Sequence, residues 1–148
     1  MLLAAVVAVM ALGVWRLLTD GRFRGTHSVR GVAETDTQGA ADAGPASLVE
    51  VLPVETRLGE RATLLQFSTA FCAPCRATRR TLAEVADVVP GVAHVEIDAE
   101  HHLELVRRLR ILRTPTTLVL DADGREVSRA SGAPRKEQVL GALALACP

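Results

Sequence analysis

The sequence predicts an α/β domain in which a mixed central sheet carries helices on both faces. Three observations lead there. Strand-length and helix-length apolar patterns alternate after residue 48, a helical period begins at a Cys-x-x-Cys pair directly behind the first strong strand, and the last two strand-like runs are joined by a short Asp-Gly turn. A parallel crossover needs a helix and a hairpin needs none, so the order β-α-β-α-β-β-α makes the sheet mixed.

Composition sets the outer bounds. A chain of 148 residues is one ordinary domain with a tail. Seventeen basic residues balance seventeen acidic ones, which argues against a chain built to coat nucleic acid or an anionic surface. Aromatics are 3% of residues, with no Tyr and one Trp, so the stacking platforms of single-strand binders are missing. The core must be packed from Ala, Val and Leu. Three cysteines are too few for a disulfide-rich scaffold, and the odd one stays outside any internal pair.

Met1 to Trp15 carries no charge, and Leu17 and Leu18 extend the run past Arg16. A spanning helix needs about 20 apolar residues, range about 17–25, so residues 1–18 suffice for a transmembrane anchor if Arg16 snorkels to the interface. No basic residue precedes the run, so an uncleaved anchor fits better than a secretory signal, and no nearby cysteine offers a lipid attachment point. Arg16, Arg22, Arg24 and Arg30 all follow it, and the positive-inside rule then keeps the domain on the cytoplasmic face of the cell membrane. Residues 19–47 are rich in Gly, Ala, Ser, Thr and Asp and lack periodicity; as a flexible linker they would reach about 30 Å.

Residues 48–148 form the folded domain. Leu48 to Leu58, interrupted by Pro53, reads as a short strand or helix. Thr63 to Ser68 is a nearly continuous apolar strand. A helix follows from about Cys72 to Val88, with Cys75, Thr78, Leu82, Val85, Ala86 and Val89 on one face and Arg76, Arg79, Arg80, Glu84 and Asp87 on the other. Pro90-Gly91 stops it. Val92 to Asp98 alternates as a strand, and Glu100 to Arg110 places Leu103, Val106 and Leu109 at helical steps. Thr116 to Leu120 and Arg125 to Ala130 form a hairpin around Asp123-Gly124. The last helix covers about Arg135 to Cys147, where Cys147 shares the face of Leu140 and Leu143 and reads as a small core thiol.

The chemistry concentrates at Phe71-Cys72-Ala73-Pro74-Cys75-Arg76. A cysteine at a helix start meets unpaired N–H groups and the positive end of the dipole, which favour its thiolate; a second one turn later can close a disulfide with it. Cys72 is the expected exposed attacker and Cys75 the buried resolving thiol, while Pro74 fits the first helical turn. A closed zinc site would need a second pair or correctly spaced histidines, and His101-His102 offers neither, so no metal is expected.

Residues 62–147 resemble the thioredoxin family. FSTAFCAPCRA is similar to its strand-to-active-site segment, HVEID to its next strand, Arg113-Thr114-Pro115-Thr116 to its cis-proline loop, and DADGREV with Gly132 to its closing hairpin. The resemblance implies a thioredoxin fold and thiol-disulfide exchange on protein substrates, with Cys72 as nucleophile, Cys75 as resolving thiol and Pro115 in cis beside them. It also implies substrate contacts from Phe71, Ala73, Pro74, Thr114 and Gly132, with the Thr114 backbone pairing to an extended chain.

The sequence departs from the family at four positions. Phe71 stands where the family usually has Trp, and Ala73 where it has Gly. Gln66 replaces an Asp that helps deprotonate the resolving thiol, and His94 replaces a neighbouring Lys. Gln cannot take a proton, so His94, hydrogen-bonded to Gln66, or a water is the expected base for Cys75. No cofactor beyond the dithiol is implied. Ala-Pro between the cysteines, with no His, points to a reductase rather than a strong oxidant. The expected partners are protein disulfides and an upstream reductase or membrane thiol carrier, with the protein a monomer. An outer-face electron-relay or cytochrome-maturation role and a non-catalytic binding module are the alternatives.

Overall fold

A computed structural model describes residues 2–19, 21–25 and 47–147. The elements are α1 (Leu2–Thr19), β1 (Phe23–Gly25), β2 (Ala62–Ser68), α2 (Ala73–Val88), β3 (Val92–Asp98), α3 (Leu103–Arg108), β4 (Thr116–Asp121), β5 (Glu126–Ser131) and α4 (Lys136–Ala146). One five-stranded sheet has the order β1-β5-β4-β2-β3. The β2–β3 pair is parallel and the remaining pairs are antiparallel, so the sheet is mixed as the sequence predicts.

Side-chain alternation along the strands builds a core on each face. All of β2 is buried, which is why it reads as an apolar run rather than an alternating one. Its Ala62 and Leu64 face α2 and α4, meeting Leu82, Val85, Val119, Val139 and Leu143. Leu65 and Phe67 face the opposite way, onto Leu52, Ile97, Leu105, Leu109 and Leu118. By the same parity Gln66 lies on the α2 side, and this places an amide under the first turn of the helix.

Helix α2 follows the expected spacing closely, with Cys75, Thr78, Leu82 and Val85 buried. Helix α3 does not. It is six residues long; Leu105 is its buried position and Val106 is partly buried, Leu109 is buried just past its end, and Leu103 at its first position is 54% exposed. The predicted stripe began one turn too early, at a residue where the helix has only started. Leu48 to Leu58 forms turns rather than a strand or helix; Leu48 N–H donates to Gly124 O at 2.8 Å and Leu52 enters the core, so tertiary contacts shape this segment. Cys147 packs half-buried against the α4 side of the core and is free.

The expected linker is corrected over its first residues. Phe23, Arg24 and Gly25 pair antiparallel with Ala130, Arg129 and Ser128, Gly21 N–H donates to Ser131 O at 3.0 Å, and Phe23 joins the α4-side cluster. The sequence could not show this, because a three-residue strand is too short to display a period. Residues 26–46 of that linker lie outside the described residues. Helix α1 forms over the predicted anchor, with Val6, Val7, Val9, Met10, Leu12, Val14 and Trp15 exposed. Its side chains are described over residues 6–15, and among the described residues no helix is long and apolar enough to cross a membrane, so the expected spanning helix is not among the elements shown.

Gly21 is what lets the chain turn onto the edge of β5. Its φ is +72°, and a Cβ there would meet Ala133 O at 2.2 Å. Gly21→Val is expected to detach β1, and a local loss of about 1–2 kcal/mol raises amide exchange along the β1–β5 ladder by about 5–30-fold. Exchange along β2 should stay unchanged; unaltered exchange at β1–β5 would show that the glycine does not hold the strap.

Candidate active site

Cys72 is the N-cap of α2, with extended backbone, and Pro74 occupies the first turn as expected. Cys72 Sγ accepts from Cys75 N–H at 3.1 Å, so the sulfur sits where the unpaired N–H groups of the helix converge. Cys72 is half-buried, whereas Cys75 is 1% exposed. The two are joined in a disulfide. Cys75 is buried as the sequence reading expects, while Cys72, expected exposed, is half-buried at the helix start.

The other predicted residues gather around this pair. The Thr114–Pro115 bond is cis, and Pro115 is buried. Thr114 Oγ1 lies 3.3 Å from Thr69 Oγ1, which fastens the proline loop to the segment leading into Cys72. Gly132, at φ +101°, donates its N–H to Pro115 O at 2.7 Å. Phe71 is 99% exposed, and Ala73 and Pro74 are exposed in the first turn of α2.

Below Cys75 lies a closed polar network. Gln66 is fully buried; its Nε2 donates to Cys75 O at 3.0 Å and to Ser68 Oγ at 2.7 Å. A backbone carbonyl only accepts, so the Gln66 atom facing it must be the amide nitrogen, and Oε1 is then turned toward His94 Nε2 at 3.2 Å. His94 must therefore carry its proton on Nε2. The predicted His94–Gln66 hydrogen bond is present, and its direction leaves Nδ1 as the basic nitrogen, on the side of the ring away from Gln66. A base at Nε2 would need that proton absent.

Ser68, Glu96, Arg79 and Thr69 complete the site and were not singled out by the sequence. Ser68 donates to Glu96, and Arg79 binds Glu96 through Nε at 2.6 Å and a second nitrogen at 2.9 Å. Strand parity alone puts Ser68 beside Gln66 and Glu96 beside His94; the missing information was the register that pairs Gln66 with Glu96. A cavity of about 340 Å³ beside Cys75 is lined by Ser68, Thr69, Arg76, Arg79, Glu96 and Asp98. Asp98 is held by Glu100 N–H and His101 Nδ1, so the histidine pair caps a turn. Among the described residues no cluster of three or more metal-ligating side chains exists.

A family model for the thioredoxin-like domain matches residues 54–146. The chain belongs to the thioredoxin family. It is a thiol-disulfide oxidoreductase, and its redox disulfide joins Cys72 and Cys75. An H-type thioredoxin of Fagopyrum esculentum is 28% identical over 85 residues, covering 57% of this chain and 72% of that protein. Thioredoxin-2 of Pyricularia oryzae is 32% identical over 78 residues, 52% of this chain and 45% of its own length. Among solved structures, thioredoxin f from spinach chloroplast has a TM-score of 0.53 at 25% identity, covering 60% of this chain and 78% of that one. Fasciola hepatica thioredoxin has the same TM-score at 24% identity, covering 60% and 83%, and shares the fold.

The thioredoxin network has a pH signature. Burial pushes the His94 imidazole below its ordinary value of 6.5 and outweighs the opposing pull of the Glu96 charge; Arg79 adds a lesser push in the same direction as burial. Below 6.5 the unfolded chain then binds a proton that the folded chain refuses, so stability falls as pH drops from about 7 through the His94 range. His94→Gln is expected to flatten this part of the stability–pH curve, read by urea unfolding at several pH values. Glu96 does not confuse the reading. Burial raises its pKa, but Arg79, Ser68 and His94 outweigh that and hold it below 4.5, so its loss of stability comes at lower pH.

Proposed function

We propose that this thioredoxin-family protein is a disulfide reductase of other proteins, working through a mixed disulfide and held at a membrane by its N-terminal helix. The observation that carries the redox part is the pairing of a half-buried Cys72 sulfur at the start of α2 with a fully enclosed Cys75. Only one sulfur is open to a partner, and the second reacts only inside the complex.

In the reduced pair, the Cys72 thiolate attacks a substrate disulfide, forming a Cys72–substrate disulfide while the other substrate sulfur leaves as a thiolate. Cys75 then loses its proton and attacks Cys72 Sγ. The second substrate thiolate departs, the Cys72–Cys75 disulfide closes, and two electrons have passed from this chain to the substrate. An upstream dithiol donor, a reductase or a membrane thiol carrier, returns the pair to its reduced form. Gln66 fixes the Cys75 carbonyl, and the proton of Cys75 passes to water in the adjoining cavity, since His94 Nε2 already carries one. Phe71, Ala73, Pro74, Thr114, Pro115 and Gly132 supply the substrate rim, with the Thr114 backbone pairing to an extended chain.

The anchor reading rests on the charge-free Met1–Trp15 run and on the exposed apolar side chains of α1. An 18-residue helix spans about 27 Å, close to the hydrocarbon thickness of a bilayer, and the arginines that follow it favour a cytoplasmic domain. A reporter fused after Pro148 is expected to be active on the cytoplasmic side; activity on the outer side would favour the electron-relay alternative.

Cys72→Ser is expected to abolish reduction of a protein disulfide, a fall of about 10³-fold or more, while Cys75→Ser accumulates a mixed disulfide visible on non-reducing gels. The potential of the pair should fall well below the strong-oxidant value of about −120 mV. A potential near that value would reverse the assigned direction, and full activity with either cysteine replaced would leave only the binding-module alternative.

A further inference from the structure

The redox chemistry accounts for the cysteines and the proline loop but not for the arginines that surround them. Arg76 follows Cys75 directly, is exposed, and lines the cavity beside that cysteine. Arg110 and Arg113 are exposed on the loop from α3 to β4 that delivers Thr114 and Pro115. This loop is fixed in place: the Thr69–Thr114 contact ties it to the active-site segment, and Arg129 donates to Leu109 O at 3.0 Å, tying its start to the sheet.

Arg110 stands in the left-handed region, at φ 52°, where α3 ends. Its N–H donates to Arg107 O at 3.1 Å and that of Ile111 to Val106 O at 2.9 Å, the two bonds of a helix end at which glycine is the usual residue. A long cationic side chain at a position that favours glycine is an observation about the surface, because nothing in the helix end requires it. Three carboxylates of this region are already engaged: Glu96 by Arg79, Asp98 by His101 and the Glu100 N–H, and Glu104 by Arg107. Among the described residues, Arg76 and Arg110 form no ion pair with a carboxylate. Phe71 and Leu112, 99% and 93% exposed, lie on the same two segments. A chain of zero net formal charge thus presents a basic and apolar rim at its dithiol.

We propose that Arg76 and Arg110, with the exposed Phe71 and Leu112 on the same two segments, form a docking rim for acidic polypeptide segments that flank the target disulfide of a substrate protein. The inference rests on the reductase reading and adds the chemical class of its substrate. Charge complementarity of this kind acts chiefly on encounter rate and partner choice, and it weakens with salt.

The test uses three peptide disulfides with the same apolar residues and with Glu, Lys or Ser flanking the cysteine. Each exchange rate is divided by the rate of a neutral small thiol on the same peptide, which removes intrinsic reactivity. The full chain is expected to prefer the Glu peptide over the Lys peptide by about tenfold or more at low salt, and the ratio should shrink several-fold at about 1 M salt, where screening acts within about 3 Å. Replacing Arg76→Gln and Arg110→Gly together should bring the ratio to about one; Arg110→Gly alone, which suits the left-handed backbone, should lower it and covers a double variant that fails to fold.

Equal rates for the Glu and Lys peptides in the unmodified chain overturn the proposal, as does a ratio that survives the substitutions. A second measurement separates this from failure of the reductase reading: affinity of the oxidised protein for the same peptides with Ser in place of Cys. Preference for the Glu peptide there, with no exchange on any peptide, would sink the reductase reading and leave the rim standing. Equal affinity in that case overturns the rim as well.

Discussion

The site depends on one buried amide. Gln66 is bonded inside the protein through both ends of its amide, giving both N–H groups to Cys75 O and Ser68 Oγ and accepting one from His94 at its oxygen. A buried amide left with an open donor or acceptor costs about 1–3 kcal/mol, so each of these bonds constrains the others. The bond to Cys75 sets the first turn of α2 onto the sheet, the bond to Ser68 leads on to Glu96 and Arg79, and the bond to His94 selects a tautomer. None of this is possible unless residue 66 lies on the α2 face of β2, and that is decided by strand parity together with the burial of Leu65 and Phe67 on the other side. The redox geometry is thus a consequence of which way one central strand faces.

The sequence made the centre of this arrangement legible and left its edges dark. Cys72, Cys75 and Pro74 stand out because each is tied to a helix start or its first turn, and Pro115 stands out through the family resemblance of its loop. The strands β2 to β5 and the helix α2 stand out because they are long enough to show a period. The strap at Phe23–Gly25 shows none, and its pairing with β5 depends on an edge that exists only after the hairpin has formed. Residues 48–58 are ambiguous in the sequence for a related reason, since their turns are held by distant partners such as Gly124. Leu103 was misplaced because a six-residue helix gives a spacing argument too few positions to choose between adjacent registers.

The same distinction separates the residues of the site that are legible in the sequence from those that are not. Gln66 and His94 could be singled out because they replace ionisable groups expected from the resemblance. Glu96 could not, although it lies one alternation from His94 on the same strand. Only the parallel register, pairing Gln66 with Glu96 and Leu64 with His94, sets these two residues of β3 beside the strand position of the amide. Register is a property of two strands, and no single run of residues carries it.

Placing an amide where a carboxylate is common changes where this thioredoxin can respond to pH and charge. An ionisable group beneath Cys75 would couple its own titration to that of the resolving thiol, because two acids that share a low-dielectric site cannot lose their protons independently. Gln66 removes that coupling and remains neutral throughout. The charged groups are displaced one layer outward, to Glu96 and Arg79, which neutralise each other, and the titratable His94 is kept uncharged near neutrality by burial. The interior around Cys75 is therefore electrically quiet. The field that a partner meets is set instead by the exposed arginines of α2 and the proline loop. Charge at this dithiol serves approach and selection, while the buried amide serves geometry alone.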